Sequence, residues 1–149
     1  MLDEAIVAYC RADVADIGGF ARSEFVSAER GRFHMRAYPA SDCGNNLGTV
    51  HGGFLLALAD MAGTGAADTL GRENATLSLN ANFLRPARVD DEYLDVVGTV
   101  LHGGRRTVVS EVAVTRPDGE TVLKATCTVA VFDSLIVDVQ ASEGGPSAQ

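Results

Sequence analysis

The segment from Gly52 to about Leu70 constrains the fold more than any other part of this chain. Its apolar residues occur all round a helical projection, and a helix that is apolar on every face is a buried helix. Gly63 and Gly65 each cost about 1 kcal/mol of helix propensity relative to Ala, which indicates close packing against a sheet. The segment therefore predicts one long buried helix that other elements cover on all sides.

Strands dominate the rest of the sequence. The spacing of apolar residues predicts a shorter helix at 2–15, and the polar, irregular segment 39–50 predicts a loop. Strands are predicted at 25–26, 32–38, 76–84, 93–101, 107–115 and 121–132, with turns at 29–31, 71–74, 102–104 and 117–120. Because helix and strands segregate along the chain, the fold class is α+β, with an antiparallel sheet of five or six strands wrapped around the central helix.

One curved sheet supplies most of the cover that this helix needs. A partner's sheet would supply the rest, so we expect a homo-oligomer, either a homodimer or a homotetramer. The length of 149 residues fits a single domain, which we place at residues 1–141. Residues 142–149 are rich in Gly, Ser and Pro and are expected to form a disordered tail.

Composition argues against several classes of protein. A formal net charge of −8 disfavours a nucleic-acid binder, which would carry a basic face. The most apolar stretch, Phe54–Ala67, is too short to span a bilayer, and no signal peptide is recognisable, so no membrane partner is expected. Cys10, Cys43 and Cys127 form no CxxC motif, which predicts a reduced, cytoplasmic protein. Neither a metal nor a cofactor is expected, because His and carboxylate residues do not cluster in the sequence.

The clearest chemical signal is the segment Asn45-Asn46-Leu47-Gly48-Thr49-Val50-His51-Gly52-Gly53. Two glycines stand where a loop becomes a helix, and glycine lets a ligand approach the backbone closely. The first N–H groups of a helix have no partner within the helix. The start of this helix is therefore a candidate donor site for a carbonyl oxygen or a developing oxyanion.

Asp60 lies two turns further along the predicted helix and shares one face with Leu56, Thr64 and Asp68. A lone carboxylate on a buried helix costs on the order of several kcal/mol unless it is paired or hydrated. Desolvation makes such a group a stronger base, which suits a general base or a nucleophile, and Thr64 is placed to hold a water against it. A purely structural Asp60 that caps a neighbouring loop is the alternative, and it stays open at this point.

The pattern N-x-x-G-x-x-H-G-G, with Asp60 nine residues after His51, resembles the hotdog-fold acyl-CoA thioesterases, specifically their PaaI-type (phenylacetate-degradation) branch. Asn82-Phe83-Leu84-Arg85-Pro86-Ala87 is similar to the strand that follows the central helix in that family, and Gly104-Arg105-Arg106-Thr107 before a Val-rich strand is similar too. The likeness covers roughly residues 44–132. It implies a hotdog fold and hydrolysis of acyl-CoA thioesters, with aryl-acyl groups as one expected class.

The resemblance also implies roles for individual residues. Asp60 matches the catalytic carboxylate, which acts as general base on water or as nucleophile, and the Gly52 N–H matches the group that polarises the thioester carbonyl. His51 matches a residue that supports the loop and assists the carbonyl or the leaving group. Asn45 matches a side chain that orients the nucleophile or the thioester, with Asn46 as the adjacent, less favoured assignment, and Thr64 matches a hydroxyl that aligns the water in some relatives. Asp60 would face the neighbouring subunit's loop, so that each site needs a dimer.

Coenzyme A carries several negative charges, so an acidic chain needs local arginines to bind it. Eleven of the twelve basic residues are Arg, whose forked guanidinium suits phosphate. Arg105 and Arg106 are the preferred phosphate ligands, although solvated arginines that block strand pairing give the same pattern. The residues expected to bind substrate are Gly53, Asn82, Arg85, Gly104, Arg105 and Arg106. Further candidates for the pocket lining are Phe54, Leu55, Met61 and Asn80. Arg88 is a further candidate for binding phosphate.

Other interpretations use the same residues. A nucleophilic Cys43–His51–Asp60 arrangement would need an exposed Cys43, and Asp60 chemistry explains the glycine and helix context better. A second His-Gly-Gly, at His102, is interpreted as a turn, and His34, which alternates within a strand, is interpreted as structural. A hydratase or dehydratase and a non-catalytic acyl-CoA-binding sensor, both on the same fold, are the alternatives to hydrolysis.

Overall fold

The described chain consists of two helices, one short 3₁₀ turn and six strands. The computed structural model describes residues 2–16, 22–45 and 47–137. In chain order the elements are α1 (Glu4–Asp16), β1 (Ser23–Glu29), β2 (Arg32–Ala37), the 3₁₀ turn Ser41–Cys43, α2 (Gly52–Asp68), β3 (Arg72–Phe83), β4 (Leu94–Gly103), β5 (Thr107–Thr115) and β6 (Thr121–Leu135). The strands form one antiparallel sheet in the order β1-β2-β4-β5-β6-β3. The predicted α+β fold, with the sheet around a central helix, is confirmed.

Helix α2 packs on the inner face of the sheet, against strands β2 to β6. A Cβ on Gly63 would lie 2.5 Å from Cys127 Cβ, and a Cβ on Gly65 would lie 2.8 Å from the Phe33 ring. On the sheet side, a Cβ on Gly98 would collide with the carbonyl oxygen of Ala62. The three glycines therefore let helix and sheet approach more closely than any side chain would permit, which confirms the packing predicted for Gly63 and Gly65.

One face of α2 is not covered by the described residues of a single copy. The partly or largely exposed helix residues recur at helical spacing and form one stripe: Gly52, Gly53, Phe54, Leu56, Ala57, Asp60 and Thr64. The chain's own sheet thus supplies most of the cover of the helix, and the cover of this stripe, which the sequence analysis assigned to a partner's sheet, stays a prediction. Asp60 lies in this stripe and is only partly buried.

Among the described strands, β3 lies at one edge of the sheet and pairs only with β6. Its register contains an irregularity, because Thr76 lies opposite Val129 while Ser78 lies opposite Thr128, so that Leu77 is an extra residue. Such a bulge changes which face the following side chains occupy. Thr76 consequently shares the inner face with Leu79, although three positions separate them.

The observed boundaries differ from the predicted ones at several ends. His102 and Gly103 continue β4, opposite Val109 and Val108, so the predicted turn at 102–104 is wrong and the turn begins at Gly104. Strand β3 begins at Arg72 and β6 extends to Leu135, because each supplies the ladder partner of the other. The predicted tail at 142–149 and Asn46 lie outside the described residues, and the single-domain boundary stays a prediction.

The end of α2 is tied to the first hairpin through one buried hydroxyl. Thr69 is fully buried, and its Oγ1 donates to the Ala66 carbonyl (2.6 Å) and accepts from the Gly31 N–H (2.7 Å). Gly31 has φ +82°, a conformation that favours glycine at the β1–β2 turn. This link fixes where the helix ends relative to the sheet.

We expect Thr69→Val to destabilise the fold by about 1–3 kcal/mol, because it leaves the Gly31 N–H without its acceptor at nearly constant side-chain volume. Urea unfolding measures the loss. Thr69→Ser is the matched control, since it keeps the hydroxyl and removes a methyl group worth about 0.8 kcal/mol. A valine variant at least as stable as the serine variant would contradict this role.

Candidate active site

The start of α2 is held against two other segments by backbone hydrogen bonds. His51 N donates to the Cys43 carbonyl and Val50 N donates to the Ala87 carbonyl, each at 2.8 Å. These bonds bring the loop before the helix next to residues 83–87, the two segments that carried the strongest motif signal. The Phe83 ring lies 3.4 Å from the place where a Cβ of Gly52 would be, so Gly52 leaves room for this ring.

The two motif glycines have different hydrogen-bond states. His51 is the N-cap, and its Nδ1 accepts from the Gly53 N–H at 2.9 Å, which places the proton of the neutral ring on Nε2. Within the described part of the chain, the Gly52 N–H has no acceptor. Among the described residues, the free donor at the front of the helix is therefore Gly52, while the Gly53 N–H is already used; that Gly52 binds a carbonyl oxygen stays a prediction.

Two cavities flank this helix start. One of about 290 Å³ is lined by Gly52 and Leu55 from the helix and by the segment Phe83–Ala87, including Arg85. The other, of about 450 Å³, is lined by His51, Gly53, Phe54 and Ala57 together with Arg22 and Asp42. Both offer apolar and aromatic surface beside polar groups, as small-molecule sites do.

Asp60 is hydrogen bonded by a residue that the sequence analysis did not select. The hydroxyl of Thr76 donates to Asp60 Oδ1 at 2.6 Å. The bulge at Leu77 brings this about, because Thr76 then faces α2. Period-two alternation would put Thr76 on one face with Ser78, Asn80 and Asn82, so nothing in the pattern of residues pointed to it.

Cys127 lies beneath the same place, fully buried on β6. Burial is the main reason that its pKa rises to about 11; the negative charge of Asp60 adds to the rise, and the Thr76 hydroxyl opposes it. Asp60, Thr76 and Cys127 thus lie close enough to influence one another electrostatically. At neutral pH this thiol stays protonated.

Thr64 and Asn45 are occupied by local contacts. The Thr64 hydroxyl donates to the backbone carbonyls of Asp60 (2.9 Å) and Met61 (3.1 Å) in its own helix. Asn45 donates to Thr49 Oγ1 and accepts from the N–H groups of Leu47 and Thr49, so its side chain closes the loop. The Asp60 carboxylate therefore contacts Thr76 rather than Thr64, and the predicted roles of Thr64 and Asn45 stay predictions.

The predicted substrate-binding residues occupy three places. Arg105 and Arg106 are exposed and line a cavity of about 400 Å³ with Phe132, and neither forms an ion pair among the described residues. Gly104 begins that turn, donating to the Thr107 carbonyl. Arg85 lies beside Gly52 and faces Glu120 at 3.5 Å.

Asn80 and Asn82 lie on the outer face of β3. They pair with Thr126 and Lys124, away from α2. Met61 is buried in the core rather than lining either cavity. Arg88 is paired with Asp90, at 2.9 Å, which agrees with a solvated turn.

The alternatives built on histidine and cysteine find little support. Cys43 is buried, and its Sγ donates to the Ala40 carbonyl, so it is not the exposed thiol that a cysteine nucleophile would need. His34 lies 2.8 Å from Asp95 on the outer face of β2 and β4, as a structural residue would. Among residues 2–16, 22–45 and 47–137, no three His, Cys, Asp or Glu side chains are grouped as metal ligands, and no helix has the length and apolarity to cross a membrane.

Comparison with known proteins places the chain in a family. Residues 47–123 match the model of the Thioesterase superfamily. The chain is similar to a hypothetical thioesterase from Streptococcus pneumoniae TIGR4 solved with coenzyme A (29% identity, TM-score 0.77, covering 85% of this chain and 96% of that one). A Streptococcus mutans UA159 protein bound to acetyl-CoA is similar as well (30% identity, TM-score 0.74, covering 78% and 94%). A search of curated proteins finds no significant match.

Three further structures are similar to the chain. The fold also matches Escherichia coli PaaI, from the phenylacetic acid degradation operon (21% identity, TM-score 0.83, covering 91% of this chain and 99% of that one). The S. pneumoniae protein has in addition been solved as a Thr→Ala mutant and as an Asp→Ala mutant, at positions sixteen residues apart.

The chain therefore belongs to the Thioesterase superfamily, and its six-stranded sheet around a long helix is the hotdog fold of that family. The prediction that it is an enzyme of the thioester hydrolase class is confirmed at this level.

We expect iodoacetamide to leave the folded protein unmodified, because Cys10, Cys43 and Cys127 are all buried. Mass spectrometry after labelling at pH 8 should show no adduct, and labelling in 6 M guanidinium chloride, the control, should show three. Rapid modification of Cys43 with parallel loss of turnover would instead support a cysteine nucleophile.

Proposed function

We propose that the protein hydrolyses acyl-CoA thioesters, aryl-acyl-CoA among them, to the free acid and CoA. The observation that carries the proposal is the carboxylate of Asp60, which is partly exposed on the central helix and hydrogen bonded by Thr76. Because Oδ1 accepts from Thr76, Oδ2 remains to take a proton from water or to attack the thioester itself. General-base assistance of this kind contributes roughly 10²–10⁴ in rate.

The relatives support this assignment. Coenzyme A or acetyl-CoA is bound in two of the similar structures. The aspartate and threonine mutated in the S. pneumoniae thioesterase are sixteen residues apart in that order, and so are Asp60 and Thr76 here. We therefore propose Asp60 as the catalytic carboxylate and Thr76 as the hydroxyl that orients it.

The Gly52 N–H supplies the second part of the chemistry. It is a free donor at a helix N-terminus, where the partial positive charge stabilises an oxyanion. Each such donor is worth roughly 10²–10³ in kcat. His51, by accepting from the Gly53 N–H, fixes the backbone that presents it.

One copy cannot bring these two groups to one substrate. Asp60 is eight residues after Gly52 in the same helix, which separates them by about 12 Å along the axis. A carbonyl oxygen bonded to the Gly52 N–H is therefore beyond the reach of that chain's own Asp60. We propose that Asp60 and Thr76 act on a thioester bound by Gly52 of a second copy.

Two uncovered surfaces fit such a homo-oligomer. The exposed stripe of α2 contains Asp60, and the edge strand β3 carries Thr76, with Leu77 61% exposed and Phe83 51% exposed. An unpaired edge of twelve residues is a template for pairing with another chain. Pairing two β3 edges would continue the sheet across the dimer and bring the two stripes together.

We propose Arg105 and Arg106 as ligands for the CoA phosphates. Their turn lies near the end of α2, since a Cβ on Gly103 would be 3.2 Å from Cδ1 of Leu70, two residues after the helix. The last helix residue, Asp68, follows Asp60 by about 12 Å along the helix axis. The pantetheine arm separates phosphates from thioester, so a binding site away from Asp60 is what CoA requires. Phe132, 45% exposed beside them, offers a ring for the adenine.

We expect Asp60→Asn to lower kcat about 10²–10⁴-fold with the fold intact, because amide oxygens do not act as general base or nucleophile here. The assay is thiol release from a panel of acyl- and aryl-CoA esters.

Thr76→Val should lower kcat less, roughly tenfold, since it removes one hydrogen bond to the carboxylate. Asn45→Ala should also lower kcat less than Asp60→Asn does.

Asp90→Asn is the matched control for the charge change, because Asp90 pairs only with Arg88 in an exposed turn. A wild-type protein that binds CoA esters without releasing thiol would favour the acyl-CoA sensor. Addition of water to an enoyl-CoA would favour the hydratase. Wild-type turnover by Asp60→Asn would remove Asp60 from the mechanism.

Mixed oligomers test the shared site. Gly52→Pro removes the N–H at a helix position that tolerates Pro, and His51 already has the extended backbone (ψ 135°) that must precede Pro. Gly52→Pro and Asp60→Asn should each be nearly inactive alone. When the two variants are co-expressed with different tags, about half of the dimers are mixed, and each mixed dimer contains one complete site out of two. The whole mixture should therefore regain about a quarter of wild-type activity. No recovery in purified mixed dimers would mean that each site belongs to one chain.

A further inference from the structure

Arg72, the first residue of β3, uses all three nitrogens of its guanidinium to hold two other segments. Its Nη1 donates to the Arg105 carbonyl at 3.0 Å. Its Nε and Nη2 donate to the Phe132 carbonyl at 3.0 and 2.7 Å. Nη2 also lies 3.3 Å from Asp133 Oδ1. One side chain of the β3 strand therefore joins the turn before β5 to the far end of β6.

These bonds bridge the two segments at the end of a ladder. Where the pairing of β5 with β6 ends, the Val131 N–H donates to the Arg106 carbonyl at 2.9 Å. The next residues outward on the two segments are Arg105 and Phe132. Arg72 holds the carbonyls of both. The guanidinium therefore sets the distance between the two segments just beyond the backbone bond.

The two segments that Arg72 joins form the wall of one cavity. Arg105 and Arg106, the proposed ligands for the CoA phosphates, line this space of about 400 Å³ together with Phe132 and Asp133. Both arginine side chains are exposed. An exposed side chain loses conformational freedom when it binds a ligand, and a fixed backbone beneath it lowers that cost.

We propose that Arg72 is a positioning residue for the nucleotide part of CoA, because its guanidinium fixes the turn that presents Arg105 and Arg106. The inference rests on the proposed function, in which these two arginines bind the phosphates of a CoA thioester. Arg72 acts through the turn rather than on phosphate. All three of its nitrogens donate to protein groups, and the nearby Asp133 offsets its charge.

Lysine separates the bridge from the charge at this position. A guanidinium donates from a planar fork that reaches two carbonyls at once, whereas an ammonium is a point charge on a flexible stem. Arg72→Lys therefore keeps the positive charge beside the cavity and loses the bridge. Arg36→Lys is the matched control, since the Arg36 side chain is similarly exposed (30% against 26%) and its Nε donates to Asp95. Asp95 lies near the start of β4, at the opposite end from the turn.

Two substrates with the same acyl group test the role of Arg72. For an acyl-CoA, we expect Arg72→Lys to raise KM roughly tenfold with kcat within about twofold. The N-acetylcysteamine thioester of the same acid has no phosphate, so its kcat/KM should not change. Calorimetric titration with CoA alone should show the same loss of affinity, roughly tenfold, and Arg36→Lys should match wild type throughout. Wild-type affinity for CoA in Arg72→Lys, or an equal loss with both substrates, would overturn the inference.

A double variant distinguishes positioning from direct contact. In an Arg105→Ala/Arg106→Ala background, adding Arg72→Lys should lower the affinity for CoA by no more than about twofold, because the turn then has no arginine to present. A further loss of roughly tenfold would show that Arg72 binds phosphate itself, and would overturn its positioning role.

Amide hydrogen exchange gives a readout without ligand. The Val131 amide, which bonds to the Arg106 carbonyl, should exchange faster in Arg72→Lys than in Arg36→Lys, with exchange in α2 unchanged. Equal exchange in the two variants would count against the bridge. A wild-type protein that binds CoA but releases no thiol would count against hydrolysis alone. A wild-type protein that binds no CoA would overturn the phosphate site and the role of Arg72 with it.

Discussion

The close approach of α2 to the sheet is the constraint on which the rest of the structure depends. At Gly63 and Gly65 the helix backbone packs on side chains of the sheet, and at Gly98 the sheet backbone meets the Ala62 carbonyl, in each case at a distance that leaves no room for a Cβ. Dense packing of this kind fixes the helix in depth and in rotation. The same contact decides which helix residues remain uncovered, and Asp60 is the only ionisable residue in that uncovered stripe.

The proposed active site combines segments that hydrogen bonds hold in place with a surface that the described residues leave exposed. Thr69 and the loop bonds of His51 and Val50 hold the two ends of α2. The stripe between them and the neighbouring edge of β3 meet solvent. A carboxylate that must meet a large substrate gains from this arrangement, because the groups that orient it belong to the folded chain and the opening lies where a second copy would bring the oxyanion donor.

Much of this architecture could be predicted from the residues themselves. The all-round apolar segment after Gly52 predicted the central helix, and the two glycines within it predicted the contact with the sheet. The free donor at Gly52 followed from its place at the start of a helix. Apolar periodicity within one chain could not show that one helix face stays open, because a residue that packs on a partner has the same chemistry as one that packs on its own sheet.

Thr76 could not be predicted for a different reason. Alternation assigns a strand residue to a face only while the register is regular, and the extra residue Leu77 breaks that register. Asn82, predicted to bind substrate, faces outward beside Lys124, and that role stays a prediction. The local sequence is enough to predict the strand, whereas the bulge arises from how β3 and β6 pair over their full length.

The bulge also bears on how activity varies among proteins of this shape. A relative that keeps the equivalent of Leu77 but pairs it in regular register would superimpose well on this chain, with the same strand order and the same helix, yet the hydroxyl equivalent to Thr76 would point to the opposite side of the sheet. A one-residue change of register in an edge strand is therefore enough to remove the hydrogen bond from this hydroxyl to the helix carboxylate. A comparison of overall folds does not detect on which side of the sheet that hydroxyl lies.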